Sequence, residues 1–485
     1  MKNSPKAGKY IFVPAALFYT NHGGCRIYIR YGKFPNRIEL LESTKNYQRF
    51  RTPDRELLLV ANGHYAQSNN DIAGCYDECI DVTPIDDDTS LALGIKMYMY
   101  NYPQNCRSGD DSPRNRLTTR KNKYPLILSD SGGFQLATGR LEYIDPYKLI
   151  EWYNENSDQG IVLDIPYAGL DTSLHKQLAK IQAKNTNILI ENKKEGFELL
   201  NVFHGKSWKH LQIYFDACER EDIDRLSIGG TYYGSVLSSL DSIYRLMSRN
   251  KKYKHYHILG VSATSRIPLF IKLAKMGIAP LITSDSSSYI QSAVRFTYKF
   301  NGGVNKGLSN LDIGYNSYSP SISNILPCSC PVCSSIKYMD ILSCTQHRFI
   351  TTALLYHNMF VMNNYCNSMY DLCMRVDDRE YQSAIKKQLL NVRPDIRNET
   401  IASLEFLSTI EQDGYKAAAK RFNYYLNSGI RSVSKSKSTL FGSQVSITEQ
   451  TAQENIKDIT RIVDIYKGKR KGTHGKEVKK HLMVH

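Results

Sequence analysis

Short apolar runs that stop at a carboxylate, a histidine or a glycine recur through the middle of this chain. LILSD ends at Asp130, GIVLD at Asp164, LLNVFH at His204, RLSIGG at Gly229 and Gly230, YHILG at Gly260, and PLITSD at Asp285. Runs of this kind read as strands buried on both faces, because a strand inside a parallel sheet has no solvent side on which polar residues would alternate. Between them lie segments long enough for helices, such as DPYKLIEWYNE and HKQLAKIQAKNTNILIENKKEG. This alternation predicts a parallel α/β sheet with crossover helices. YIFVPAA, ELLLVANGHYA and IKMYMYNYP read as strands in the first hundred residues. Two of these would complete the eight strands of a TIM (β/α)8 barrel, in which C-terminal strand ends share one rim. Asp130, Asp164, His204, Gly229 and Asp285 are therefore expected together.

Elsewhere the pattern changes. Residues 101–124 are polar, with Gly, Asp and Pro punctuation, and read as one long loop. A Gly-, Asn- and Ser-rich passage over 300–325 precedes LPCSCPVCSS, and HRFITTALLYHNMFVMNNYCNSMYDLCMR then takes up helical periodicity. From about 376 the chain reads as helices, one broken at Asp413-Gly414 and another ended by Asn427-Ser428-Gly429, with a Ser- and Lys-rich linker over Ser432 to Ser438. The expected organisation is a barrel domain over 1–375 that includes a metal site at 328–357, followed by a helical, basic extension over 376–485.

Composition narrows the class. Hydrophobic residues make up 41% of 485 and mean hydropathy is −0.42, which fits a soluble globular protein. The early apolar run from Tyr10 to Phe18 is interrupted by Pro14, is too short to cross a bilayer and has no cleavage pattern behind it. Eleven cysteines, clustered or single, suit a reducing compartment, so a cytoplasmic protein is expected. The net charge of +16 makes a polyanion the natural partner. Much of it is concentrated: Arg107, Arg114, Arg116, Arg120, Lys121 and Lys123 precede the Asp130 strand, and Lys467, Lys469, Arg470, Lys471, Lys476, Lys479 and Lys480 crowd the end. The second group also reads as a solvated tail.

Two constellations carry chemistry. Cys328, Cys330 and Cys333 place three thiols around one point, and a tetrahedral zinc needs one more ligand. His357 can return to the thiols from a helix, while His347 and Cys344 are nearer in sequence. A closed Cys3His site would be structural. Separately, Asp130 and Asp285 at strand ends suit displacement at an anomeric carbon, one carboxylate attacking and the other exchanging a proton with the leaving group. The bland alternative is that Asp285 caps the turn in SDSSSY, and that Asp164 forms a turn with Ile165-Pro166-Tyr167.

In their order, DSGGFQ (Asp130 to Gln135), VLDIPY (Val162 to Tyr167), SIGGTYYG (Ser227 to Gly234), ILGV (Ile258 to Val261), SDSSSY (Ser284 to Tyr289) and CSCPVC with the later His357 resemble the tRNA-guanine transglycosylase family. The resemblance spans about 125–360. It implies a zinc-containing TIM barrel that replaces guanine in a polynucleotide with a free 7-deazaguanine base, without ATP or nicotinamide. Asp285 would be the nucleophile on C1′ and Asp130 the general acid and base. Asp164 would read the base edge, helped by Ser131, by backbone at Gly229 and Gly230, and by Phe134 as a stacking surface. Zinc would be held by Cys328, Cys330, Cys333 and His357.

The departures are specific. Phe203-His204-Gly205 stands where most members have V-Q-G, so His204 alters polar contact to the base. Ser286-Ser287-Ser288-Tyr289 is closer to archaeosine-type enzymes, which take preQ0, than to queuosine-type enzymes. The extension lacks their strand-rich RNA-binding module. An atypical opening loop and a private basic C-terminus are similar to the DNA-guanine transglycosylases of bacteria and bacteriophages, which implies DNA as substrate, in a bacterial or phage-infected cytoplasm. Arg114, Arg116, Arg120, Lys121, Lys469, Arg470 and Lys471 would meet the polymer. A tRNA enzyme, a non-catalytic zinc-containing nucleic-acid-binding subunit and a glycoside hydrolase are the competing readings. A homodimer or a helper protein stays open.

Overall fold

The computed structural model describes residues 7–16, 25–34, 39–43, 47–52, 54–61, 75–82, 96–101, 126–137, 141, 143–167, 169–205, 207–230, 235–250, 252–299, 305–307, 328–335, 347–424, 426 and 459–468. Its first half is strand-rich: β1 (Lys9–Ala16), β2 (Cys25–Tyr31), β3 (Glu39–Ser43), β4 (Tyr47–Thr52), β5 (Arg55–Ala61), β6 (Glu78–Val82) and β7 (Met97–Asn101). Then strands and helices alternate. β8 (Leu126–Asp130) leads to α1 (Gly133–Ala137) and α2 (Pro146–Asn156), β9 (Gln159–Ile161) to α3 (Thr172–Asn192), and β10 (Glu198–His204) to α4 (Trp208–Cys218). β11 (Arg225–Gly229) is followed by α5 (Val236–Arg249), β12 (His255–Ile258) by α6 (Ile267–Lys275), and β13 (Leu281–Ser286) by α7 (Ser288–Val294).

Eight of these strands form one curled, all-parallel sheet in the order β1-β13-β12-β11-β10-β9-β8-β7. β1 bonds β13 through residues 9–14 and then β7 through Ala15 and Ala16, which returns the sheet on itself. Pro14, which has no N–H to donate, sits where β1 changes neighbour. The α/β class and the parallel curl follow the expectation from the apolar runs, and the six strands expected between 126 and 298 are β8 to β13. A complete (β/α)8 alternation is not shown. β1 and β7 are joined through an antiparallel sheet, β3-β4-β5-β2-β6, and residues 102–125 lie outside the described chain. The strand in ELLLVANGHYA is β5 of that sheet and not a stave of the ring. There Glu56, 1% exposed, is held by Arg30 at 3.2 Å, Arg51 at 2.6 Å and the Tyr76 hydroxyl at 3.1 Å.

Helix starts follow local chemistry. Asp145 caps α2 through Tyr147 N–H with Pro146 in its first turn, and Asp171 caps α3 through Ser173 N–H. On the C-terminal side, β14 (Thr297–Lys299) pairs with β15 (Asn305–Gly307), and α8 (Pro331–Ser335) precedes the long α9 (His347–Arg375). Then come α10 (Asp378–Gln388), α11 (Pro394–Asp413), ended by Gly414 at φ 84° as expected, and α12 (Tyr415–Arg421). Tyr381, Ile385, Leu404 and Phe406 of these helices share one apolar cluster with Leu269 and Ile271 of α6 and with Tyr256 and Ile282 of the ring. Lys272, 1% exposed, joins α6 to the same helices through Asp378 at 2.7 Å and Glu411 at 2.5 Å. A last helical turn set, 459–466, packs Ile459, Ile462 and Val463 against the apolar cluster around α2 and α3. Among the described residues no helix is long and apolar enough to cross a membrane.

The basic positions Arg107, Arg114, Arg116, Arg120, Lys121, Lys123, Lys469, Arg470, Lys471, Lys476, Lys479 and Lys480 lie outside the described residues, as do Cys344, the 427–429 helix end and the 432–438 linker.

Candidate functional site

Asp130, His204 and Gly229 are the last residues of β8, β10 and β11, and Asp285 is the penultimate residue of β13. Asp164 lies just past β9, which is shorter than its apolar run. Val162 N–H still donates to Leu200 O at 2.9 Å, so the chain keeps the strand's course up to Asp164. All five therefore stand at the C-terminal end of the parallel sheet.

Three of the expected residues meet in one buried knot. The Ser131 hydroxyl donates to Asp164 Oδ1 at 2.7 Å, and His204 Nε2 faces Asp164 Oδ2 at 2.6 Å. This fixes the Asp164 carboxylate from both sides, and it turns no bond into its own backbone turn, so the turn-forming alternative is not what holds it. Two glycines of the sequence motifs make room. A Cβ on Gly133 would lie 2.6 Å from Asp164 Oδ1, and one on Gly229 would lie 2.3 Å from His204 Nδ1. His204, expected at the base, is thus engaged with Asp164 and seated over Gly229. Behind it the Tyr214 ring meets His204 edge-on, and His175 stacks on His210 at 4.2 Å. Burial, then His210, pushes His175 down to about 4, so no positive charge is held there at neutral pH.

Asp285 is held differently. Its Oδ1 accepts Gly260 N–H at 2.7 Å, and His257 Nε2 stands 3.3 Å from the same oxygen. Oδ2 has no partner among the described residues. The turn in SDSSSY is closed by serines instead: Ser286 Oγ accepts Ser288 N–H at 2.9 Å and bonds Ser262 Oγ at 2.7 Å, while Ser287, at the start of α7, makes no side-chain cap bond. Asp285, 8% exposed, takes no part in closing that turn. Asp130 and Phe134 are half-buried at the same end, on β8 and the short α1 that follows it.

The second constellation is compact. Donor atoms of Cys328, Cys330, Cys333 and His357 all lie within 4.8 Å of one another, and these four can hold a metal ion. A tetrahedral zinc sets its sulfur and nitrogen donors roughly 3.5–3.8 Å apart. His357 Nδ1 is 3.2 Å from Cys333 Sγ and 3.7 Å from Cys330 Sγ. His357 Nε2–H donates to Lys299 O at 2.9 Å, which leaves the Nδ1 lone pair for the thiol side. The Cys330 N–H and Cys333 N–H point at Cys328 Sγ and Cys330 Sγ, and Tyr298 stacks on His357 at 3.7 Å. Sharing protons among crowded thiols pushes Cys328 down through Cys330 and Cys333, and pushes Cys330 up to about 12. A cation would replace those protons. Asn358, next to His357, donates to Tyr289 O at 3.3 Å and Thr297 O at 3.0 Å, tying the knot to α7, which directly follows Asp285.

The residues absent from the sequence reading are His255, His257 and Thr283, packed beneath Asp285. Their signal was available: HYH and ITSD put polar groups at alternate positions in strands whose other positions are apolar. No protein-family model matches this chain, and no curated protein matches it.

Proposed function

We propose that this chain is a base-exchange transglycosylase on a TIM-type barrel, replacing guanine in DNA with a 7-deazaguanine such as preQ0 through a covalent Asp285–nucleotide intermediate. The observation that carries the reading is the state of Asp285: one carboxylate oxygen is anchored by Gly260 N–H, the other has no partner among the described residues, and the carboxylate is spent on no cap. Oδ2 attacks C1′ of the target nucleotide as the C1′–N9 bond breaks, and Asp130 gives a proton to the departing guanine. Asp130 then takes the N9 proton of the incoming base, whose N9 attacks C1′ and releases the carboxylate. Asp164, held by Ser131 and His204, keeps lone pairs with which to accept the amino and N1–H edge of the bound purine. Phe134 and the backbone at Gly229 and Gly230 complete the base pocket.

Zinc is the metal proposed for Cys328, Cys330, Cys333 and His357, where all protein donors are used on one point and the ion would be structural. DNA is preferred over tRNA because the C-terminal part, where described, is helical in place of a strand-rich RNA-binding module; the strongly basic charge suits either polymer. A duplex target would have to be flipped from the stack. A bacterial or phage-infected cytoplasm is the proposed setting.

Exchange of labelled guanine, or uptake of preQ0, into matched DNA and tRNA tests this, with Asp285→Ala as the blank. Label in DNA that vanishes in the variant is expected. Label in tRNA alone would replace the polymer and keep the mechanism, and label that survives in Asp285→Ala would remove the nucleophile.

A further inference from the structure

β12 and β13 bury a line of polar groups leading to Asp285, and base exchange as described uses none of them but Asp285 itself. His255 and His257 alternate along β12 and Thr283 and Asp285 along β13, with His257 paired directly to Thr283 in the strand register. The opposite face of the two strands, Tyr256, Ile258 and Ile282, belongs to the apolar cluster that contains Leu269 and Phe270 of α6. The polar line therefore faces the inside of the curled sheet, where branched aliphatic residues are usual. His255, His257 and Thr283 are 3%, 0% and 0% exposed, so each must find a partner or cost stability.

The partners run in one line. His255 Nε2 lies 2.7 Å from Thr283 Oγ1, and Thr283 Oγ1 lies 2.8 Å from His257 Nδ1. His257 Nε2 then stands 3.3 Å from Asp285 Oδ1, at an angle short of a finished hydrogen bond. A hydroxyl has one proton to give, so the line has two possible directions. If His257 carries its proton on Nδ1, its bare Nε2 lone pair faces the carboxylate. If the proton is on Nε2, N–H faces the carboxylate, Nδ1 accepts from Thr283 O–H, and Thr283 accepts from His255 Nε2–H. The second direction points an N–H and not a lone pair at the carboxylate, while His255 Nδ1 has no hydrogen-bond partner in either direction. Burial, then His257, pushes His255 down to about 3, and a neutral His255 can serve either direction, donating from Nε2–H in the second and accepting at a bare Nε2 in the first.

We infer that His257 is a positioning residue for Asp285, its Nε2–H tautomer set by the Asp285 carboxylate and supported by the Thr283–His255 line, so that Oδ1 meets N–H groups from two sides and Oδ2 alone is presented for attack. This rests on Asp285 being the nucleophile. No proton moves through the line during attack. Oδ2 bonds C1′, the C1′–N9 pair leaves with the base, and Oδ1 passes from carboxylate to ester carbonyl while keeping the same N–H donors. The device selects which oxygen reacts and holds its angle, and loss of such aim costs about a hundredfold in rate.

Two readings test it. In exchange assays on whichever polymer the wild-type chain labels, His257→Leu should lower kcat about a hundredfold with KM for the polymer unchanged. His257→Gln, whose amide N–H can stand near Nε2, should recover most of the loss. Thr283→Val, nearly isosteric, should fall between them. A loss confined to KM, or a Gln variant no better than Leu in equally folded proteins, would overturn the assignment. The second reading needs no activity: ¹⁵N spectra of histidine-labelled protein, with His257 assigned by its disappearance in His257→Gln. The Nε2–H tautomer is expected, with a mixture appearing in Asp285→Asn. An Nδ1–H tautomer in the wild-type protein would overturn the proposal whether or not exchange is found. Absence of exchange in both polymers, with the expected tautomer present, would instead fault the transglycosylase reading.

Discussion

The Cys3His knot and the carboxylate end of the sheet are both made of buried side chains able to ligate, yet they differ in what they leave over. In the knot, three thiols and one imidazole nitrogen converge, and the second imidazole nitrogen is occupied by Lys299 O. At the sheet end, Asp164 has both oxygens engaged, whereas Asp285 has one anchored and one without a partner among the described residues. A closed set of donors can stabilise a fold and a half-satisfied one can react. That difference supports the proposal that the first site stabilises the fold and the second carries the chemistry. Their link is mechanical: Asn358, beside the thiol-facing His357, grips α7, and α7 begins just after the Asp285 strand.

Swapping the damage between the two sites gives the largest effect. His357→Ala should release one equivalent of zinc and lower stability by several kcal/mol, read from metal content and thermal melting. Asp285→Ala should leave the melting temperature in place, or raise it, while abolishing exchange. If His357→Ala kept its metal, the fourth ligand would have to be sought elsewhere, with His347 first. A smaller effect separates the knot from the other brace of the C-terminal helices. Lys272→Met should cost about 2 kcal/mol, less than breaking a fully buried pair, because the Glu411 side chain is 44% exposed. Burial alone raises the Asp378 carboxyl, but bonds from Lys272 and Ser408 outweigh it and hold it below the usual range. Its contribution is therefore present above pH about 4 and lost as pH falls below that. Melts of wild type and Lys272→Met should converge in acid, and a gap that stayed constant would mean that packing, not charge, made the difference. The smallest effect is at the tail. Ending the chain after Gly468 removes Lys469, Arg470, Lys471, Lys476, Lys479 and Lys480, and should weaken polynucleotide binding equally for all sequences. The log–log salt slope should fall by at most about five, with kcat unchanged; an unaltered slope would show that the tail meets only solvent.

How much of this could be read in the sequence depended on the range of the signal. Cys328, Cys330 and Cys333 sit within six residues, so the metal knot was legible, and only its distant fourth member needed a choice. The six central strands were legible from their apolar runs, but not where β9 stops: Val162, Leu163 and Ile165 are as buried as Ile161, and an apolar residue beyond a strand looks like one inside it. β5 shows the complementary failure. Its apolar run marks a strand, and nothing local says that its neighbours are β4 and β2 and not the parallel ring. His204 was visible at its strand end, but its attachment to Asp164 depends on two strands meeting. The His255–Thr283–His257 line was hidden for the same reason, since its meaning lies in register and not in spacing.

Tyr466 has a consequence for kinetics. Its buried hydroxyl bonds both Ile144 N–H and Ile144 O, at 3.2 and 2.9 Å, on the loop that enters α2 from the Asp130 end of the sheet. Asp145 and Asp164 are among the groups whose charge it feels. The basic run beginning at Lys469 is thus tethered two residues beyond Lys467, which is itself bonded to Gln177. Lys469 to Lys480 can extend at most about 40 Å from that point. If these charges capture the proposed polymer, it would be delivered at an effective concentration in the millimolar range, and search and chemistry would become parts of one encounter. The same basic peptide added in solution would have to be supplied at that concentration to replace it.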